Sequence, residues 1–308
     1  MQISKITIVG CGLIGGSLGS ALRSSGFRGQ IAGNDAPEVL EKAVRLGAID
    51  VAAPAIESAV KDADVIVLAT PISSILALLP IVAEHAPAHA LITDTGSTKV
   101  EIVAQAKRVF SAPAIATATV AGDAAGASAH RRFLPGHPIS GKERSGIEQA
   151  DPYLFHGTKW VFTPIEARST TSSSASHSSW IELIRKIGAS PVCMTPEEHD
   201  LTLAFTSHLP QLLSIALANT VLGELRPDGG DGGYSRVAYG GGLRDMTRLA
   251  KSDPIVWRDI LATNGENIRR ALEEMQRQIG KLNSALCERQ LDEIQQSFRA
   301  ASLISKLS

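Results

Sequence analysis

The sequence predicts an α/β fold, with a doubly wound parallel sheet in the N-terminal part and a predominantly α-helical domain after it. Short apolar runs such as 64–69 alternate with segments of helical period, as in a parallel sheet covered by helices on both faces. In the C-terminal part little strand pattern remains, and 254–282 and 290–307 have the period of amphipathic helices. We therefore expect two domains, 1–166 and 167–308.

Composition and charge exclude several classes of partner. The 308 residues are 44% apolar and 20% charged, which is ordinary for a globular protein. A formal net charge of −1 predicts no nucleic-acid partner and no anionic membrane surface. The three cysteines are far apart, which predicts neither disulfides nor a metal site and favours a cytoplasmic location. The apolar segment 201–223 contains His208, Pro210 and Gln211, so we expect no membrane span.

A glycine-rich turn follows the first predicted strand. The run Lys5–Val9 breaks into Gly10, Gly12 and Gly15, which fit the pattern G-x-G-x-x-G at the start of a helix. One glycine makes the tight turn, one lets the backbone approach a pyrophosphate, and one lets strand and helix pack closely. The free N–H groups at the start of the helix point at the phosphates. The expected contacts to a dinucleotide are Gly10, Gly12, Leu13, Ile14 and Gly15.

An acidic residue ends the second predicted strand. The run 30–34 is followed by Asp35, twenty residues after Gly15. At that spacing a carboxylate accepts hydrogen bonds from the adenosine ribose of a dinucleotide. The same carboxylate repels a 2′-phosphate, and residues 36–38 supply no arginine to hold one. The sequence therefore favours NAD over NADP as the cofactor of a Rossmann domain.

Two later strands end in loops that carry polar residues. The strand 64–69 is followed by Thr70 and Pro71, and the strand 90–93 by the segment Asp94–Lys99. Ligands of doubly wound sheets lie at the carboxyl ends of the strands. We therefore expect both loops to lie beside the dinucleotide.

Tracts of small residues and one proline interrupt the remaining elements. The tracts 111–128 and 229–242 predict mobile segments, and the Ser/Thr-rich tract 167–179 predicts a solvated loop near the domain boundary. The apolar segment 196–223 predicts a helix that Pro210 kinks or divides.

One histidine lies in a stiff, irregular loop. His137 stands between Gly136 and Pro138, and Gly141 and Gly146 follow it. A histidine held in this way suits proton transfer, because its unperturbed pKa lies near 6.5. The alternative is a histidine that only caps the turn at Pro138.

Six segments occur in one order along nearly the whole chain: 12–17, 94–99, 136–143, 198–200, 207–210 and 244–257. Together they resemble the prephenate and arogenate dehydrogenases of tyrosine biosynthesis. The resemblance implies a Rossmann domain that binds NAD, a helical domain that forms a homodimer, and an active site between them. It also implies the oxidative decarboxylation of prephenate to 4-hydroxyphenylpyruvate, in which a ring carbon loses hydride and the ring carboxylate leaves as carbon dioxide.

The resemblance further implies roles for individual residues. His137 is the partner of the substrate hydroxyl, and Ser97 holds its neutral tautomer and touches the substrate. Arg248 is a carboxylate clamp that acts through charge-assisted hydrogen bonds. His208 is a substrate-binding or cleft-lining residue, and Glu143 belongs to an ionic gate around Arg248. The alternatives are a surface position for Arg248 and a core position for His208.

Two positions depart from the family pattern. Gln211 stands where many relatives have a second histidine, and Lys142 where small hydroxyl residues are frequent. If Lys142 faces the cleft and binds substrate, its charge favours the keto acid of prephenate and opposes the ammonium of arogenate. The alternatives are an arogenate-preferring or dual-specificity enzyme, another two-domain NAD(P)-dependent dehydrogenase, and a nucleotide-sensing protein with an inactive cleft.

Overall fold

The computed structural model describes residues 3–111, 132–142, 144–165, 175–225 and 240–306. The predictions for Glu143, and for most of the small-residue tracts at 111–128, 167–179 and 229–242, lie outside these ranges.

Six parallel strands form the sheet of the N-terminal part. They are β1 (Lys5–Val9), β2 (Gln30–Asn34), β3 (Val51–Ala52), β4 (Val65–Leu68), β5 (Leu91–Asp94) and β6 (Phe133–Leu134). Their order in the sheet is β3-β2-β1-β4-β5-β6. The order reverses between β1 and β4, and a ligand crevice forms at such a point, outside the carboxyl ends of the strands.

Five helices connect and cover these strands. They are α1 (Leu13–Ser24), α2 (Pro37–Arg45), α3 (Ile56–Val60), α4 (Ile72–His85) and α5 (Val100–Ser111). Val65 and Val67 of β4 belong to a core shared with α1 and α2, whereas Ile66 and Leu68 belong to a second core shared with α4 and α5. Because both faces are buried, the strand is a continuous apolar run, as the sequence predicts.

A second sheet contains β7 (Gly136–Pro138), β8 (Lys159–Phe162) and β9 (Ser190–Cys193). Helix α6 (Ala175–Lys186) precedes β9 and joins the core that contains β1. Trp180 of α6 packs on Trp160 of β8, with ring centroids 6.5 Å apart. Trp180 and Ile184 of α6 are thus buried in the core of the sheet-bearing part. The predicted domain boundary at 166–167 stays a prediction.

The mainly helical part begins with one long interrupted helix. It consists of α7 (Pro196–Leu203), a π-helical segment (Ala204–His208) and α8 (Leu209–Leu225). Thr195 and Glu198 form a capping box at its start. The predicted division near Pro210 is confirmed, because the wide π turn comes just before this proline, which has no N–H to donate.

The remaining described helices are α9 (Gly241–Met246), α10 (Pro254–Thr263), α11 (Gly265–Cys287) and α12 (Leu291–Ala301), with 3₁₀ turns at Arg248–Lys251 and Ser302–Lys306. The single helix predicted at 254–282 is thus two helices, with Asn264 between them. The α/β fold with a C-terminal helical domain is confirmed.

One helical stretch, Pro196–Glu224, is long and apolar enough to cross a membrane by length and composition alone. Its first half, however, contains His199, Asp200 and His208, all buried in the protein. Such side chains are costly in hydrocarbon, and here they face protein partners instead.

Candidate active site

The glycine turn lies between the end of β1 and the start of α1. Gly10 has a φ of +93°, a conformation that side chains rarely adopt, and its N–H donates to the Asn34 carbonyl at 2.8 Å. A Cβ atom at Gly10 would come within 2.5 Å of the Ala69 carbonyl oxygen. Gly10 therefore makes the tight turn beside β4.

The other two glycines meet different surroundings. A Cβ at Gly15 would overlap the Gly10 carbonyl, whereas a Cβ at Gly12 would meet no protein atom within 4 Å. Gly15 therefore allows close packing of helix on strand, and the backbone at Gly12 is open to a ligand. Gly12 supplies no side-chain cap to α1, so the first N–H groups, at Leu13 and Ile14, are free of one.

Asp35 lies next to this turn, directly after β2. Its two carboxylate oxygens accept hydrogen bonds from the backbone N–H groups of Cys11 and Ala36, both at 2.7 Å. The carboxylate is thereby fixed at the edge where an adenosine ribose approaches. The donor set and the shape of the turn fit a dinucleotide without a 2′-phosphate.

Thr70 and Pro71 lie at the same edge, after β4. The Thr70 methyl group would be 2.9 Å from a Cβ at Gly10, which places the loop against the glycine turn. The Thr70 hydroxyl is buried and has no hydrogen-bond partner within the described part of the chain. Pro71 starts α4.

His137 lies on β7, and only 9% of its surface is exposed. Its Nδ1 is 2.8 Å from Nε2 of His199 on α7, and the two rings meet edge to face with centroids 5.1 Å apart. The sheet-bearing and helical parts of the chain thus contact each other through this pair of imidazoles.

Asp200 continues the contact on the helical side. Its Oδ1 accepts from Nδ1 of His199 at 2.7 Å and from the backbone N–H of Lys99 at 2.7 Å. Its Oδ2 accepts from the N–H of Val100 at 2.9 Å, the first residue of α5. The carboxylate therefore caps a helix of the Rossmann domain and orients a histidine at the same time.

Lys99 forms a buried ion pair with Asp94. The second oxygen of Asp94 accepts from the N–H of Gly136 at 3.2 Å, next to His137. Burial lowers the pKa of Lys99, and the Asp94 carboxylate opposes that shift. A buried cation thus lies close to the histidine pair.

The pKa of His137 is well below its usual value of 6.5, first because the ring is buried and then because positive charge on it would be repelled by Lys99 and by any proton on His199 or His208. Burial also lowers the pKa of His199, against the opposing hydrogen bond to Asp200. Both imidazoles are therefore neutral at neutral pH. A neutral ring accepts a proton through one nitrogen, which is the requirement for a general base.

His208 ends the π-helical segment and is buried. Its Nδ1 is 3.2 Å from Nδ2 of Asn264, which also donates to the Asp200 carbonyl at 2.7 Å. Its ring packs edge to face on Trp257, with centroids 5.8 Å apart. Burial lowers the pKa of His208 to about 4, so this histidine is neutral as well.

The comparisons with known proteins agree with this arrangement. The family profile for the "Prephenate dehydrogenase, nucleotide-binding domain" matches residues 18–132 and 124–190, and that for the "Prephenate dehydrogenase, dimerization domain" matches 195–300. The chain belongs to the prephenate dehydrogenase family. The resemblance predicted from the motifs is confirmed. The first profile ends at residue 190, where β9 begins, and the second begins at residue 195, just after β9.

Individual relatives cover the chain almost completely. A prephenate dehydrogenase of Bacillus subtilis is 30% identical over 300 residues, which are 96% of this chain and 74% of the relative. The crystal structure of prephenate dehydrogenase from A. aeolicus, in complex with hydroxyphenyl propionate and NAD+, has a TM-score of 0.82 at 29% identity and covers 99% of this chain and 98% of that one. A Synechocystis arogenate dehydrogenase has a TM-score of 0.73 at 26% identity, with 96% of each chain covered.

Within this prephenate dehydrogenase fold, Nδ1 of His137 pairs with His199, which lies 62 residues further along the chain. The predicted role of Ser97 in holding the neutral tautomer of His137 stays a prediction. Ser97 is half-buried in the loop between Asp94 and Lys99. A contact between Ser97 and the substrate stays a prediction.

Lys142 does not present a free ammonium in this structure. Its Nζ lies 3.0 Å from Oδ2 of Asp151 and 3.1 Å from the Gln149 carbonyl. The charge needed to discriminate against arogenate is therefore already paired. A substrate contact of Lys142 stays a prediction, as does that of Glu143.

Arg248 is exposed, at the start of the 3₁₀ turn that packs on α8. The side-chain amide of Gln211 donates to the Leu249 carbonyl at 2.8 Å, and its oxygen accepts from the Ser252 hydroxyl at 3.3 Å. Gln211 therefore ties this turn to the helix that follows His208. The clamp role of Arg248 stays a prediction.

Four residues of the site were not predicted individually: Asp94, Lys99, His199 and Asp200. All four lie in segments that carry the family resemblance, yet no local pattern shows that a lysine is fully buried or that two histidines meet. The one available signal is a histidine and an aspartate side by side in the first turns of a capped helix.

Proposed function

We propose that this chain catalyses the NAD-dependent oxidative decarboxylation of prephenate to 4-hydroxyphenylpyruvate. The observation that carries the proposal is the neutral, nearly buried His137 on β7, beside the end of β5. His199 occupies one ring nitrogen, which leaves Nε2 for the ring hydroxyl of the substrate. Membership of the prephenate dehydrogenase family supports the choice of substrate.

NAD, when bound, supplies the hydride acceptor of this reaction. The turn at Gly10 and Gly12 and the first N–H groups of α1 would hold its pyrophosphate, and Asp35 its adenosine ribose. The buried hydroxyl of Thr70, which has no hydrogen-bond partner among the described residues, would bind a polar group of the cofactor. An A. aeolicus relative whose structure contains NAD+ supports this assignment.

His137 takes the proton of the ring hydroxyl at Nε2 as the adjacent ring carbon is oxidised. Loss of the ring carboxylate makes the ring aromatic, and the proton can return to the phenolate oxygen of the product, so no net proton is consumed. Arg248 and His208 are proposed to bind the substrate carboxylates from the helical side of the cleft.

A direct assay tests the function. The protein is incubated with NAD and prephenate, and absorbance of the reduced nicotinamide is followed together with release of carbon dioxide. We expect both products in equal amounts and a much lower rate with NADP. Absence of reduced cofactor with prephenate contradicts the proposal.

Arogenate is the second candidate substrate, and one observation favours it. The Lys142 ammonium pairs with Asp151, so it does not repel the ammonium group of arogenate. The ratio of kcat/KM for the two substrates decides between them. A ratio near one supports a dual-specificity enzyme, and a strong preference for prephenate supports the first assignment.

A homodimer in the cytoplasm completes the proposal. Large apolar side chains are exposed mostly on the helical part, among them Ile255, Phe298 and Ile304, each more than 70% exposed. Such a surface suits contact with a second copy. The match to a dimerization domain profile supports it.

A further inference from the structure

His199 lies directly behind His137 and is completely buried. One ring nitrogen contacts His137 at 2.8 Å, and the other contacts Asp200 at 2.7 Å. His199 is shielded from solvent and takes no part in the proton transfer proposed for His137. The three side chains form a line of hydrogen bonds that ends at His137.

The chemistry of Asp200 fixes where the protons lie in this line. Its carboxylate already accepts two backbone N–H groups, from Lys99 and Val100, so it acts only as an acceptor. Nδ1 of His199 must therefore carry a hydrogen. A neutral imidazole has one N–H, so Nε2 of His199 is an acceptor.

The position of the hydrogen on His199 then determines the tautomer of His137. Because Nε2 of His199 accepts, Nδ1 of His137 must donate, and Nε2 of His137 keeps its lone pair. This is the tautomer that can take a hydroxyl proton at Nε2. The opposite tautomer would present an N–H to the substrate hydroxyl and could not act as a base.

The charged groups around these hydrogen bonds favour the neutral form of His137 and His199. The groups that face the two imidazoles are Asp94 and Lys99 of the Rossmann domain, and Asp200 and His208 of the helical part. The ammonium of Lys99 opposes protonation of both rings. The Asp200 carboxylate opposes the effect of Lys99 on the pKa of His199. Its hydrogen bonds to the N–H groups of Lys99 and Val100 keep this carboxylate in place.

We propose that His199 is a positioning residue that, together with Asp200, sets the tautomer of His137, so that Nε2 of His137 receives the substrate hydroxyl proton. The proposal rests on the proposed function. When that proton arrives, the His137 imidazolium keeps its Nδ1–H bond to His199. The ring then returns the proton to the oxygen of the product.

Two substitutions of His199 test the role kinetically. His199→Leu removes donor and acceptor, whereas His199→Gln retains one of each. Because a positioned base contributes about 10²–10⁴ to the rate, we expect kcat to fall by about 10²-fold in the Leu variant and less in the Gln variant. We expect KM for prephenate and Kd for NAD to change by less than about threefold, since neither is proposed to contact His199.

The matched control is His89→Gln. His89 lies near Asp64, at the amino end of β4 and far from the carboxyl edge of the sheet, so its kinetics should equal those of the unchanged protein. If the Leu variant folds and keeps normal kcat, His199 has no positioning role. Equal kcat in the Gln and Leu variants also overturns the proposal.

A spectroscopic measurement tests the tautomer without turnover. The ring nitrogens of histidine have different ¹⁵N chemical shifts when protonated and unprotonated, and His137→Asn identifies the signals of His137 in histidine-labelled protein. We expect Nδ1 protonated and Nε2 unprotonated, with this state lost in His199→Leu. Protonated Nε2 in the unchanged protein overturns the proposal. The proposed substrate can fail without affecting this result.

Discussion

At the residue scale, the three glycines of the cofactor turn face different neighbours, and this makes their contributions separable. Gly15 faces the Gly10 carbonyl, so an added Cβ has no space within the protein. Gly12 faces open space, so an added Cβ meets only what binds there. We therefore expect a side chain at Gly15 to disturb folding and a side chain at Gly12 to disturb cofactor binding.

This difference gives the first prediction. Gly15→Ala should lower the free energy of unfolding by about 2 kcal/mol or more, because the overlap is with backbone that cannot give way easily. Gly12→Ala should leave stability within about 0.5 kcal/mol but raise Kd for NAD about tenfold or more, because its methyl group meets the pyrophosphate. Thermal unfolding and NAD titration of both variants measure these effects. The reverse pattern would contradict the assignment of the two glycines.

At the element scale, carboxylates of the helical part cap two helices of the Rossmann domain. Asp200 of α7 accepts from the first N–H groups of α5, and Asp259 of α10 accepts from the N–H and hydroxyl of Ser73 in α4 at 2.8 and 2.7 Å. Free N–H groups at a helix start need acceptors. The two parts of the chain therefore meet through helix ends, at the edge where the cofactor turn and His137 lie.

The second prediction compares these two caps. Asp200 is buried and accepts three hydrogen bonds, so Asp200→Ala should cost about 3 kcal/mol or more in the free energy of unfolding. Asp259 belongs to the more exposed cap, and Asp259→Ala should cost about 1 kcal/mol. Urea unfolding of both variants provides the measurement. Equal, small losses in the free energy of unfolding would show that the buried Asp200 carboxylate does not stabilise the start of α5.

At the scale of the whole molecule, three neutral histidines are buried where the two parts of the chain meet. The pKa values of His137, His199 and His208 are all lowered, with burial as the largest cause. The unfolded chain protonates these rings near pH 6.5, but the folded chain does so only at lower pH. Below about pH 6.5 the unfolded state therefore binds more protons, and folding stability falls with falling pH.

The third prediction is a pH dependence of stability. Between pH 7 and pH 5 the free energy of unfolding should fall, with a slope that approaches about 4 kcal/mol per pH unit if all three rings contribute. Urea unfolding at several pH values gives the slope, and His208→Asn should make it shallower. A flat profile over this range would contradict the account, because it would mean that the three rings bind protons equally in the folded and unfolded states.

Much of the fold follows from local sequence, because the constraints there are local. The glycine turn, the apolar run of β4 and the division near Pro210 each depend on neighbouring residues. The packing of Trp180 on Trp160 did not follow, because it joins a helix to a strand that lies earlier in the chain. The pairing of His137 with His199 did not follow either, because it joins distant residues through tertiary packing.

The most direct test of the central claim is the kcat of His137→Asn with NAD and prephenate. Because Nε2 of His137 is the proposed acceptor of the hydroxyl proton, we predict that kcat falls by about 10²-fold or more while Kd for NAD stays within about threefold. A His137→Asn enzyme with near-normal kcat would contradict the claim that this imidazole takes the proton.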